Sequence, residues 1–195
     1  MANRSYLYTT DHLPESSEWE ANKNLHSISE WGYDIPLVFK LLLTGNPLAV
    51  KSSIWGVSEK IALAGEFQIG LGVLEEYFAR LPAEAEPLIN EARSFLSKIS
   101  NQRKYFILEC GEIFDMEEGS LYEKNLSLIE EINELKSNIS NINVPKVINV
   151  ELPKRGLLDR LLGKKQVQPK SDSLKPFYPL GLGNWSNVLY FQFDG

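Results

Sequence analysis

The sequence predicts an α+β fold, mainly helical, in which helices pack around a buried central helix and a small antiparallel sheet includes the N- and C-terminal strands. Three observations carry this expectation. The stretch SEWGYDIPLVFKLLLTGN, residues 29–46, is apolar on almost every side once wound as a helix, which is how a buried helix reads. Three later segments repeat apolar residues at helical spacing. Both chain ends alternate large apolar with polar side chains, as half-buried strands do.

Taken in order, RSYLYTT at residues 4–10 is rich in Tyr and Thr and reads as a strand. Residues 11–27 are polar, hold Pro14, Ser16 and Ser17, and read as a loop. Trp31 and Tyr33 then precede the central helix in a loop. Asp34 is placed to cap that helix, Pro36 suits its first turn, and Gly45 with Asn46 suits its exit. The run KIALAGEF fits a strand or the front of a helix. From Gly70 the spacing of Val73, Leu74, Tyr77, Phe78 and Leu81 predicts a helix ended by Pro82. Leu88, Ile89, Ala92, Phe95, Leu96 and Ile99 predict a second. YFILECGEIF, residues 105–114, reads as strand by its aromatic and branched residues and as helix by its acidic spacing. Leu121, Asn125, Leu128, Ile132, Leu135 and Ile139 share one face of a third helix, opposite Glu123, Glu130, Glu131 and Glu134. Residues 153–176 form a basic, loop-like excursion broken by Gly and Pro, with a short helix at 157–162. NWSNVLYFQF alternates as a returning strand. With 195 residues, the expectation is one domain, 1–195, carrying that excursion.

A net charge of −6 argues against a nucleic-acid partner, which demands clustered Lys and Arg, and suits a basic protein instead. A single cysteine, Cys110, points to a reducing compartment. MANRSYLYTTDH lacks the apolar core of a signal peptide, and the longest apolar run falls short of the roughly 18 residues of a membrane span. The expectation is a cytoplasmic protein with no membrane partner.

Catalytic signals are weak. Cys110 with His12 and His26 is the one route to a thiol nucleophile, but Cys110 lies in an apolar run and reads as a buried, inert thiol. Glu109, Glu112 and Asp115, three apart, would share a helical face and offer oxygen ligands to a hard cation, yet such spacing is common on solvated faces, and no metal or cofactor is expected. Gly70 and Gly72 lack the third glycine and the lysine of a phosphate-binding loop and suit close packing or a helix start. No G-x-S-x-G is present. For an enzyme, Asp34, Glu59 and Glu66 are the first acids to inspect, set near apolar stretches. Lys154, Arg155, Arg160, Lys164, Lys165, Lys170 and Lys175, interleaved with four leucines, fit a solvated loop helix better than a membrane-surface helix.

The segments ISEWGYDIPLVFKLLLTGNP, SSIWGVSEKIALAGEF and KYFILECGEIFDME together resemble a poorly characterised family of bacterial cytosolic proteins of similar length. That family is associated with the small acidic proteins encoded beside secreted toxins, the immunity proteins of contact-dependent or polymorphic toxin systems. The resemblance covers roughly residues 1–118 and implies no active-site residues. It implies a protein that binds and neutralises a cognate toxin; a non-catalytic regulatory or structural module, or an enzyme without a recognisable motif, remain as alternatives. In residues 109–134 Lys124 is the only basic residue. The expected partner surface is therefore Glu109, Glu112, Asp115, Glu117, Glu118, Glu130, Glu131 and Glu134, with Tyr122 as an aromatic anchor; the plainer reading is a solubilising helix face.

Overall fold

A computed structural model describes residues 3–16, 19, 25–146 and 173–192. Five strands, β1 (Arg4–Thr10), β2 (His26–Gly32), β3 (Leu48–Val50), β4 (Ala62–Glu66) and β5 (Tyr105–Glu109), form one antiparallel sheet in the order β2-β1-β5-β4-β3. Among the described residues the helices are α1 (Leu37–Leu42), α2 (Phe67–Phe78), α3 (Glu86–Leu96), α4 (Gly111–Phe114) and α5 (Leu121–Ser137), with short 3-10 turns after α2, α3 and α5. The fold is α+β.

Alternation along the strands sorts side chains to two covered faces. Leu7, Ile28, Leu63, Phe106 and Leu108 point into a core shared with all five helices. Tyr6, Tyr8, Ala62, Ala64 and Ile107 point the other way, under Trp19, Leu25 and Leu189. Burial on both sides explains why β4 reads as a continuous apolar run rather than an alternating one. It also resolves both ambiguous stretches: β4 passes directly into α2, and β5 is followed after Cys110 by α4.

The sheet, not a central helix, organises the molecule. The apolar stretch after Pro36 forms only six residues of helix, with Val38, Phe39, Leu41 and Leu42 fully buried. Pro36 stands at its N-cap without a side-chain cap, and Asp34 instead accepts the Ile35 N–H at 2.7 Å, fixing the turn before it. The exit is tight. Thr44 Oγ1 donates to the Leu41 carbonyl at 2.6 Å, and Asn46 takes a left-handed φ of 52°. A Cβ on Gly70 would lie 1.9 Å from the Leu42 carbonyl oxygen, so this glycine lets α2 cross α1 backbone to backbone. That is the packing role its sequence suggests.

Other expectations need correction. Trp31 belongs to β2 rather than to a loop, and the 11–27 loop ends earlier, because β2 starts at His26. The helix expected to reach Ile99 ends at Leu96, leaving Ile99 88% exposed in a 3-10 turn. The C-terminal segment returns to the sheet but forms no strand among the described residues. Among the described residues a single bridge, Trp185 to Ser29 of β2, joins it there. Around it, side chains replace ladder bonds: Asn187 Nδ2 donates to the Ser27 carbonyl at 2.6 Å, and Ser29 Oγ donates to the Asn184 carbonyl at 2.7 Å. The Ser186 N–H adds a bond to the Ile28 carbonyl at 3.0 Å. This polar hem covers the edge of β2, which would otherwise invite pairing with another chain. Beyond it the chain crosses the second face, where Tyr8 donates its hydroxyl to the Phe191 carbonyl at 2.8 Å and Phe191 meets Tyr6 edge-on.

No helix among the described residues is long and apolar enough to cross a membrane. The basic excursion expected at 153–176, with its helix at 157–162, lies almost entirely outside the described residues.

Candidate functional site

The acidic run from Glu109 to Glu134 does not form one surface. Its first two carboxylates are engaged within the fold. Glu109 closes β5, is 2% exposed, and accepts from Ser52 Oγ and the Ser53 N–H, each at 2.6 Å. It pins the chain leaving β3 to the sheet and is not available to a partner. Glu112, on α4, accepts the Arg4 N–H at 2.9 Å and the Tyr6 hydroxyl at 3.1 Å. Both of its oxygens are committed to the start of β1, so it too is removed from the expected partner surface. Burial, reinforced by Glu109, pushes the Tyr8 hydroxyl well above the usual tyrosine range; burial and then Glu112 do the same to Tyr6.

Because the backbone changes from strand to helix at Cys110, Glu109, Glu112 and Asp115 do not share a helical face. Among the described residues no group of His, Cys, Asp or Glu is arranged to hold a metal ion. Cys110 is fully buried, and burial, with Glu109 adding to it, holds its thiol protonated, which suits an inert packing residue. His26 lies in a polar junction, its Nε2 3.0 Å from Asn101 Oδ1. Glu66 accepts from Asn46 Nδ2 at 2.7 Å, beside the turn after α1, and Glu59 is exposed in the loop before β4.

The remaining acids are on the surface. Asp115, Glu117 and Glu118 are exposed at the end of α4 and in the turn that follows. Ser120 caps α5 by accepting the Glu123 N–H at 3.3 Å, and Glu123 in the first turn favours the positive end of the helix. Along α5, Glu123, Glu130 and Glu134 recur at steps of seven and four, which align on one exposed face. None of them makes an ion pair among the described residues. Glu131, one residue round the helix, pairs with Lys40 of α1 at 2.7 Å. Tyr122 and Leu126, 39% and 38% exposed, lie four apart beside the acidic face.

Between the start of α1, α4 and the first turns of α5 lies an open groove of about 450 Å³. Ile35, Phe114 and Leu128 form its apolar floor, with Glu117, Glu118, Glu123 and Asp34 around it. Sequence reasoning missed this groove, because Asp34 and Lys40 are roughly eighty positions from Glu117 and only the packing of α1 against α5 joins them.

A family model for a domain of unknown function (DUF7822) matches residues 11–150, well over half of the chain. No curated protein and no solved structure matches the chain.

Proposed function

Because the chain belongs to the DUF7822 family, a domain of unknown function, its role is read from its surfaces, and we propose that it is an immunity-type inhibitor. In this reading it is a non-catalytic, cytoplasmic bacterial protein that binds a cognate toxin domain and blocks its active site or the approach of its substrate. The supporting observation is the carboxylate row Glu123, Glu130 and Glu134 on the exposed face of α5, which makes no ion pair among the described residues. A toxin that attacks nucleic acid holds phosphate in a cationic cleft, and a row of carboxylates offers that cleft the same sign of charge. Tyr122 and Leu126 beside the row supply the apolar contact that central interface residues contribute. The expected surface narrows to Asp115, Glu117, Glu118, Tyr122, Glu130, Glu131 and Glu134, joined by Glu123.

The first test is whether a secreted toxin is encoded beside this chain's gene; its toxin domain, if one is there, is purified and mixed with the inhibitor. Replacing Glu130, Glu131 and Glu134 by Lys is expected to slow association roughly tenfold or more at low ionic strength and to flatten its dependence on salt. Co-expression of the triple variant then protects cells less well than the wild type. Association rates that do not change on charge reversal would remove α5 from the interface. Tight binding to a basic protein that is no toxin would favour a regulatory module instead.

A further inference from the structure

The groove between α1, α4 and α5 has a shape as well as a sign. Two ammonium groups of the chain itself already sit in its walls. Lys124 Nζ donates to the Phe114 carbonyl at 2.6 Å and to the Glu117 carbonyl at 2.5 Å, where α4 ends and its carbonyls are left over. Lys40 Nζ is held by Glu131 at 2.7 Å. The walls thus show twice how they receive a cationic side chain. With both lysines engaged, Glu117, Glu118 and Glu123 remain on the rim without an ion pair among the described residues. The floor of Ile35, Phe114 and Leu128 offers apolar contact beneath them.

These features fit one kind of visitor. An apolar side chain would cover the floor and leave the carboxylates partly desolvated and unanswered. An acidic one would be repelled. An arginine lays its aliphatic stem on the floor and spreads its guanidinium between carboxylates on the rim, a geometry that a planar fork of donors serves better than a point charge. We propose that the groove is a socket for an arginine side chain projected by a basic partner, while Glu130 and Glu134, beyond its rim, act at long range. The identity of that partner rests on the proposed inhibitory function; the socket does not.

The test is a nuclear magnetic resonance titration of the isotope-labelled full chain with the capped tripeptide Gly-Arg-Gly and with its neutral citrulline counterpart. Saturable shifts confined to the amides of residues 117–127 and to those around Ile35, seen with arginine and absent with citrulline, are expected. The double variant Glu117→Gln/Glu118→Gln should bind the arginine peptide roughly fivefold more weakly. Glu130→Gln/Glu134→Gln should bind it as the wild type does, and thermal melts check that each variant stays folded. Equal shifts with citrulline, equal weakening in both variants, or shifts that never saturate would overturn the socket. The two proposals fail separately. Toxin binding through α5 with a groove indifferent to arginine removes only the socket, whereas an arginine-binding groove in a chain whose α5 reversal leaves toxin association unchanged removes only the proposed function.

Discussion

Glu109 and Glu130 stand twenty-one positions apart in one acidic run and do opposite work. Glu109 is buried, and both of its oxygens hold donors from the chain after β3. Glu130 is exposed on α5 and makes no ion pair among the described residues. A run of like charges is therefore not a surface until the backbone has assigned a direction to each side chain. The reversal happens at Cys110, where the two-residue period of β5 ends and helical periods begin. Glu109 before that point and Glu112 just after it hold the fold together, and the acids from Asp115 onward face solvent.

Removing each partner in turn separates these roles. Glu109→Ala leaves the Ser52 hydroxyl and the Ser53 N–H without their acceptor in a buried setting, and should cost about 3 kcal/mol in urea denaturation. Glu130→Ala should stay within about 0.5 kcal/mol of the wild type. Similar losses for the two would break the contrast. High pH probes the buried end again, through Tyr8. Its hydroxyl is held protonated in the folded chain by burial and by Glu109, whereas in the unfolded chain it ionises near pH 10. The native state then binds more protons than the unfolded state, so stability is intact below about pH 10 and falls above it, by up to about 1.4 kcal/mol per pH unit for this one group. Denaturation midpoints measured between pH 9 and 11 should fall less steeply for Tyr8→Phe; identical slopes would mean the hydroxyl titrates alike in both states.

The same contrast explains what could be read from the sequence. α3 and α5 were legible because each sets a polar face against a buried one, and β1 because Tyr6 and Tyr8 alternate with residues of the opposite face. β2 was not. Its Ser27 and Ser29 look like loop residues, and their partners Asn187 and Asn184 lie more than 150 positions away. The structural duty of Glu109 was hidden likewise, since Ser52 and Ser53 are 57 and 56 positions distant. The apparent C-terminal strand misled for a different reason. Leu189 and Phe191 alternate because they cover the second face of the sheet, not because they pair within it. Of the candidate surface, the exposed face of α5 was visible as a helical period of acids, while the groove needed the contact between α1 and α5.

That contact yields the smallest effect. Lys40 and Glu131 join α1 to α5 at 2.7 Å, with the glutamate side chain 47% exposed. Water competes for such a carboxylate, and ordering two long side chains offsets much of the attraction, so exposed pairs contribute little. A double-mutant cycle with Lys40→Met and Glu131→Gln should give a coupling of about 0.5 kcal/mol or less, shrinking further in salt. A coupling several times larger would place this pair with Glu109 among the groups that hold the fold. α5 would then be fixed by charge as well as by Leu128 and Ile132, and Glu131 would no longer belong to the surface offered to a partner.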